Sequence, residues 1–569
     1  MTAKYYNEDN SMYNESGTGK NGNNGFIRMK TIAEGQIFSD FNAYDYIYVD
    51  KTDYIFNILR SHRKIFISRP RRFGKSLTLD TIGTLFEYGV EPYFKDTWLY
   101  DKWTEGTYPV LRLNFLEFKK DDAEFFKKQF VEKISKFAKK HKVENYEEDS
   151  EPMGALDNLF TSLRDERRQI VILIDEYDTQ LTSNINNSEL YEKYQNILRE
   201  IYGVLKGAAA IRFLGITGVT RIKDVALFSN GSDIIDISNH TEYSQMIGFT
   251  RDEIREYYID YLKMAACCEN GVSESEVTDS QIEEILDKLD YHYNGYCFDK
   301  YGEKKVFSTW SVNCFFKRLA AIKKCIYDDY WYDNGGVPTI LKEYLSTHNL
   351  DIEGLVNKDL LVNVSADEFL NPTSLIDMNR HVLMCQTGYL TLRSPLFRMN
   401  SIDLGIPNQE VNRALIPLLA LNIFGTKSLN VKARPEKILL TGSAEEIIEL
   451  FNTVLNTVSY DHYAITNESI LEAILRIYLE GKCNNVSAES MSSKGRTDLL
   501  IETGDRRIVL ELKYAQNENE AKVKLDEAVA QIKARDYGNI LPLKKETLKI
   551  AAVFNADPKV RAFTYFKSL

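Results

Sequence analysis

Apolar residues along this chain follow two kinds of pattern. Between residues 40 and 240, short unbroken aliphatic runs recur: Ile65-Phe66-Ile67, the stretch 108–115 around Val110-Leu111, Gln169-Ile170-Val171-Ile172-Leu173-Ile174-Asp175, and 211–221. Runs of that length bounded by polar turns suit strands buried on both faces, and helix-like stretches such as 54–60 alternate with them. The alternation predicts a parallel α/β sheet. From about residue 241 the period becomes helical, over 251–263, 281–291 and 337–345, and 345–455 is mixed. Near the C-terminus come a helix over 467–480, two β runs flanking Thr503-Gly504-Asp505, a helix over 524–537 and a terminal strand over 549–554. The expected organisation is a disordered polar tail (1–30), a parallel α/β domain (31–240), a helical lid (241–345), a mixed helical connector (346–455) and a small α/β domain (456–569).

Composition changes this picture little. The chain of 569 residues, 44% hydrophobic and 27% charged, exceeds what one core supports. No apolar run approaches the roughly 18 residues of a membrane helix, and the first 25 residues lack the apolar core of a signal peptide. Seven scattered cysteines show no C-x-x-C pair, so a reducing interior fits, with most of them as core thiols. An intracellular, cytoplasmic, non-secreted protein is expected. A net charge of −12 opposes indiscriminate nucleic-acid binding but leaves room for a local basic groove, such as Arg60, Arg63, Lys64, Arg69, Arg71, Arg72 and Lys75.

The first candidate chemistry follows the 65–67 run, where Arg69-Pro70-Arg71-Arg72-Phe73-Gly74-Lys75-Ser76 opens a helix at Leu77. Strand, tight loop and Gly-Lys-Ser is the arrangement that holds a nucleoside triphosphate. Backbone N–H groups at a helix start face an anion, the lysine reaches the outer phosphates, and the hydroxyl joins a magnesium shell. Arg69 stands where G-x-x-x-x-G-K-[ST] has its first glycine. Asp175-Glu176 closes a buried run at a strand's carboxyl end, where such sheets place ligands: Asp175 for magnesium, Glu176 for the attacking water. Thr217, at the end of the next strand, is placed to sense a γ-phosphate. Arg221 beyond it is either an arginine finger or the partner of an acid. The nucleotide-binding set is Arg71, Arg72, Phe73, Gly74, Lys75, Ser76, Leu77, Asp175, Thr217 and Arg221, with Ser76 and Asp175 toward magnesium.

The second constellation is Asp498…Glu511-Leu512-Lys513. A two-residue turn at Gly504-Asp505 sets Thr503 against Arg506 and, five pairs on, Asp498 against Glu511, with Cβ atoms about 5 Å apart. Lys513 shares their face, while Ile508, Leu510 and Leu512 point to the other. Facing carboxylates repel unless a cation lies between them, and oxygen donors suit magnesium or manganese. An ammonium beside them can orient or deprotonate water and offset charge on a phosphodiester. The bland alternative is a solvated charged strand. Glu468, on the preceding helix, is either an accessory carboxylate or merely a favourable charge at a helix start.

These motifs together resemble the AAA-ATPase-like proteins fused to a C-terminal PD-(D/E)XK-superfamily nuclease domain. The resemblance rests on Tyr48-Val49-Asp50-Lys51-Thr52, Arg69 to Ser76, Ile174-Asp175-Glu176-Tyr177-Asp178, Ile216-Thr217-Gly218-Val219-Thr220-Arg221, Tyr293-Asn294-Gly295-Tyr296 and Trp310-Ser311-Val312. It continues through Gln386-Thr387-Gly388-Tyr389-Leu390, Ile406-Pro407-Asn408-Gln409-Glu410-Val411, Gly495-Arg496-Thr497-Asp498 and Glu511-Leu512-Lys513. It implies a P-loop NTPase sheet with helical lid and connector, then a small nuclease-like domain, with ATP and Mg²⁺ as cofactors. In that reading Lys75, Ser76, Asp175 and Glu176 serve the nucleotide. Asp498, Glu511 and Lys513 form the nuclease centre, and Glu468 joins Asp498 and Glu511 as a metal ligand. DNA or RNA is the expected partner, no membrane is involved, and an oligomer is compatible with it. The runner-up is an ATP-dependent switch whose nuclease-like domain binds nucleic acid or a partner without cutting.

Overall fold

A computed structural model describes residues 29–569 apart from 34, 36, 223–232, 334–339, 342–343, 345–360, 373, 397–399, 425–434, 459–463, 483–486, 493–494, 504–505 and 536–545. The expected tail over 1–28, most of the helix over 337–345 and the turn at Gly504-Asp505 lie outside the described residues.

The four aliphatic runs form β1 (Lys64–Ser68), β2 (Val110–Asn114), β3 (Ile170–Asp175) and β4 (Ile211–Gly218), and β5 (Ile235–Asp236) joins them. The sheet is wholly parallel in the order β2-β3-β4-β1-β5. All six residues of β3 are buried, as the unbroken aliphatic run requires of a strand covered on both faces. The covering helices start at side-chain caps: Asp122 accepts the N–H of Phe125 for Ala123–Lys140, and Asn187 that of Leu190 for Ser188–Gly207. Because β4 lies between β1 and β3, the carboxyl ends of all three meet at one place on the sheet edge.

The helix expected over 251–263 is two, Arg251–Tyr257 and Ile259–Asn270. Tyr258 sits between them, its ring stacked on Phe316 and its hydroxyl donating to Asn313. Apolar periodicity continues through the break, so only packing reveals it. This region has its own core, in which Ile254, Leu286 and Phe315 pack with Ile47 and Val49. Beyond it lie the pair β6 (Tyr296–Cys297) and β7 (Lys305–Val306), and the small sheet of β8 (Val362–Ser365), β9 (Thr391–Leu392) and β10 (Ser401–Gly405). Of the six described cysteines Cys297 is buried, Cys267, Cys314, Cys325 and Cys385 are half-buried and Cys268 is exposed, so fewer are full core thiols than expected.

Gly295, just before β6, has φ +95°, and a Cβ there would stand 2.2 Å from the carbonyl oxygen of Pro407. Both the left-handed backbone and the close approach demand glycine. Gly295→Ala is expected to cost about 3 kcal/mol, read as a lower unfolding midpoint in denaturant.

The C-terminal sheet is mixed: β11 (Ser487–Ser492), β12 (Gly495–Thr503), β13 (Arg506–Ala515), β14 (Glu546–Asn555) and β15 (Ala562–Ser568), in that spatial order. The expected last strand is therefore followed by another, and β14 is flanked by β13 in parallel and β15 antiparallel. On one face Leu500, Val509 and Ala551 pack against Ala528 and Ile532 of the helix Glu518–Arg535. On the other, Leu499, Leu510 and Leu512 join the main core with Leu471 and Ile474 of the helix Glu468–Lys482. Covered on both sides, β13 loses the solvated face that an isolated hairpin would have.

Candidate functional site

The first site forms where β1 passes into the helix Lys75–Tyr88. Gly74 has φ +107° and a Cβ there would meet nothing within 4 Å, so the helix start faces open space. The buried Lys75 donates through Nζ to the carbonyls of Arg69 (3.1 Å) and Pro70 (3.2 Å) and lies 3.6 Å from Glu176. Ser76 Oγ donates to Asp175 Oδ2 at 2.5 Å, and Thr217 Oγ1 donates to Asp175 Oδ1. Asp175 thus ties the loop after β1 to the end of the intervening β4. Glu176 has φ +54°. Burial pushes its carboxyl above the ordinary range, Asp178 and Asp175 add to that, and Lys75 pulls the other way.

The remaining predicted residues divide. Leu77 lines a cavity of about 520 Å³ that opens beside Gly74 and Thr78 and is walled by Tyr48, Phe249 and Trp310. Phe73 turns inward instead, edge-on to Tyr296 and Phe298, so only its backbone is available to a ligand. Arg71 is exposed, and Arg72 lays its guanidinium 4.5 Å over the Trp310 ring. Arg221 forms an ion pair with Asp236, the simpler of its two expected roles.

The second site is the hairpin. The register runs from Thr503 with Arg506 to Leu499 with Leu510, the register expected, and the ladder stops one pair short of Asp498 and Glu511. Around Lys513 Nζ stand Glu511 Oε1 at 3.0 Å, Glu468 Oε2 at 3.6 Å and Asp498 Oδ2 at 3.9 Å. Backbone donors hold two of these carboxylates: the Leu512 N–H reaches Asp498 at 2.6 Å, and the Tyr514 N–H reaches Glu468 at 3.2 Å. Glu511 is wholly buried. Burial works against the charge on Lys513, but Asp498, Glu511 and Glu468 outweigh it and raise its pKa above the lysine value. At neutral pH this side chain is an ammonium and not a base.

A family model described as "Predicted AAA-ATPase" matches residues 35–228, and one described as the PD-(D/E)XK nuclease superfamily matches residues 466–563. The chain joins an AAA-ATPase-like domain to a PD-(D/E)XK domain. An uncharacterised protein in the vnfD 5′ region of Azotobacter chroococcum mcd 1 is 25% identical over 532 residues, covering 90% of this chain and 94% of the relative. Among solved structures, Cdc6p from Pyrobaculum aerophilum matches at 14% identity and a TM-score of 0.24, over 66% of this chain and 91% of that one. The ORC2 protein of Aeropyrum pernix matches at 10% identity and a TM-score of 0.24, over 65% and 93%.

In the AAA-like domain the donors fit a nucleoside triphosphate with a hard cation. An ammonium is held by neutral carbonyls that phosphate can replace, a serine hydroxyl meets a carboxylate, and the helix start is open. In the PD-(D/E)XK domain the three carboxylates are a hard-oxygen set, yet their centre belongs to Lys513. Among the described residues no three His, Cys, Asp or Glu stand close enough to hold a metal ion by themselves. Among those same residues no helix is long and apolar enough to cross a membrane.

Sequence reasoning missed the cavity walls Tyr48, Phe249 and Trp310, which come from three separate stretches; Tyr48 and Trp310 did lie in quoted motifs. It also missed Glu410, which lay in a quoted motif but was given no role. This carboxyl is wholly buried, accepts the Trp331 N–H and the Ser311 hydroxyl at 2.8 Å each, and is pushed up to about 8, chiefly by burial. Folding therefore favours protonated Glu410. Its contribution is complete below pH about 4.5 and is lost as pH rises toward 8. Glu410→Gln is expected to gain stability relative to wild type across that window, by an amount on the order of a few kcal/mol, and to run parallel above it. Paired unfolding curves from pH 5 to 9 check this.

Proposed function

We propose that the chain is an ATP-binding and ATP-hydrolysing protein whose PD-(D/E)XK domain cleaves DNA or RNA with magnesium or manganese, nucleotide occupancy controlling access. The observation that carries the reading is the meeting of Asp498, Glu511 and Glu468 around the Lys513 ammonium, on a chain that also has Lys75, Ser76, Asp175 and Glu176 at one sheet edge. In the nucleotide site, the 520 Å³ cavity would take the nucleoside and the backbone N–H groups after Gly74 the phosphates. Lys75 would turn from the Arg69 and Pro70 carbonyls to the outer phosphates. Glu176 would orient a water and take its proton as the water oxygen bonds to the γ-phosphorus and the bridging oxygen leaves with the diphosphate. Thr217, through Asp175, would sense whether that phosphate is present.

In the nuclease site, Asp498 and Glu511 would hold the divalent ion, with Glu468 at its rim. A bound ion there would withdraw charge from the phosphodiester and favour its attack by water. Lys513, held as an ammonium, would offset charge on the phosphate oxygens.

One observation favours the runner-up, an ATP-dependent switch that grips nucleic acid or a partner without cutting. Lys513 occupies the middle of the carboxylates, and no three acidic groups among the described residues reach metal-binding spacing. The deciding test is a cleavage assay on labelled single- and double-stranded DNA and RNA, with Mg²⁺ or Mn²⁺, with and without ATP. Cleavage supports the first reading. Binding without cleavage under every condition supports the second.

A further inference from the structure

Arg69 stands where the loop motif has glycine, and the proposed nucleotide chemistry makes no use of its side chain. It is 1% exposed. Its Nη1 donates to the carbonyls of Ser68 at 2.8 Å and Ser238 at 2.7 Å, and its guanidinium lies 4.1 Å from the centre of the Phe298 ring. Among the described residues, Nε and Nη2 have no hydrogen-bond partner. A guanidinium carries five N–H donors, so leaving two of its nitrogens idle in the interior is costly.

Arg69 lines a cavity of about 50 Å³ behind the loop, together with Arg221, Ser238, Cys297, Phe298 and Cys385. The charges there do not cancel. Asp236 is ion-paired with Arg221 and is also the acid nearest in effect to Arg69, so one carboxylate faces two guanidiniums. The thiols of Cys297 and Cys385 are pushed up by burial, the second to about 12, so neither supplies a negative charge near neutral pH. Among the described residues one positive charge is left over, and burial, offset in part by Asp236, lowers the Arg69 guanidinium to about 9, still protonated at neutral pH. A buried cation that shares its one acid with a second guanidinium calls for a further anion.

We propose that this cavity binds a small monovalent anion of chloride size, hydrogen-bonded by Nε and Nη2 of Arg69. The volume limits the ligand: a water molecule takes about 30 Å³ of liquid, so the space suits a halide and excludes bulky organic anions. Held there, the anion would fasten the end of β1 to Ser238, just beyond β5, and would stiffen the base of the phosphate-binding loop. The inference does not depend on hydrolysis of ATP or of nucleic acid.

Thermal unfolding of the full chain in sodium chloride, bromide or gluconate at equal ionic strength tests it. The expected result is a saturable rise in midpoint with chloride and bromide that gluconate does not give. That rise should be lost in Arg69→Met and in Cys385→Met, whose longer thioether fills the cavity while leaving Arg69 in place. Equal midpoints in chloride and gluconate would overturn the proposal in favour of water filling the space. A chloride effect that persists in Cys385→Met would overturn it too, by placing the ion elsewhere. If Arg69→Met does not fold, Cys385→Met and crystals grown in sodium bromide decide: an anomalous peak beside Arg69 supports the site, and its absence refutes it.

Discussion

Asp498→Ala is expected to lower metal-dependent cleavage of nucleic acid by about 10³-fold while leaving ATP turnover unchanged. Asp498 reaches into the hairpin site from β12, whereas Glu511 and Lys513 come from β13, so its removal separates the two halves of the carboxylate set. The mutation also strips the acceptor from the Leu512 N–H, which costs about 1–3 kcal/mol locally. Asp498→Asn isolates the charge from that effect. Its amide oxygen still accepts from Leu512, so the sheet should keep its stability while cleavage falls as far as in the alanine variant. Labelled-substrate cleavage beside circular-dichroism melts of both variants gives the readout. Cleavage that survives Asp498→Asn would put the chemistry outside the hairpin.

Lys75→Ala is expected to weaken ATP binding by about 100-fold, the scale of one lost charge-assisted contact, and to stop hydrolysis. Its partners in the structure are two neutral carbonyl oxygens, which do not compete with a triphosphate for charge, and the Glu176 carboxyl at 3.6 Å. The variant leaves Glu176 buried beside Asp175 and Asp178 without its cation, so Glu176 should become still harder to ionise. Titration with a fluorescent ATP analogue measures the first effect. If ATP controls the nuclease domain, cleavage by Lys75→Ala should no longer respond to ATP; a response that persists would separate the two activities. Affinity that is unchanged would remove the nucleotide site from this loop altogether.

Much of this architecture could be read from the chain alone, wherever chemistry was local. The runs at 65–67, 110–113, 170–175 and 211–218 became the strands of a parallel sheet because β-branched and aliphatic stretches of that length have nowhere to go but a doubly covered strand. The pairing from Thr503 with Arg506 to Leu499 with Leu510 is the one expected from the sequence, whose period of two sets Asp498, Glu511 and Lys513 on one side. Gly74, Lys75 and Ser76 were legible because a helix start presents its N–H groups in a fixed sequence frame.

What tertiary structure decided is what depends on distant segments meeting. Strand order placed β4 between β1 and β3 and so brought Thr217 onto Asp175. Packing turned Phe73 inward, broke a periodic helix at Tyr258 and sank Glu410 beneath Trp331. It also set the Lys513 ammonium at the centre of the carboxylates, where the alternation of a strand could say only that they share a side. Local sequence governs backbone conformation and the direction a side chain leaves it; which groups then touch, and which lose their water, is a property of the whole folded chain.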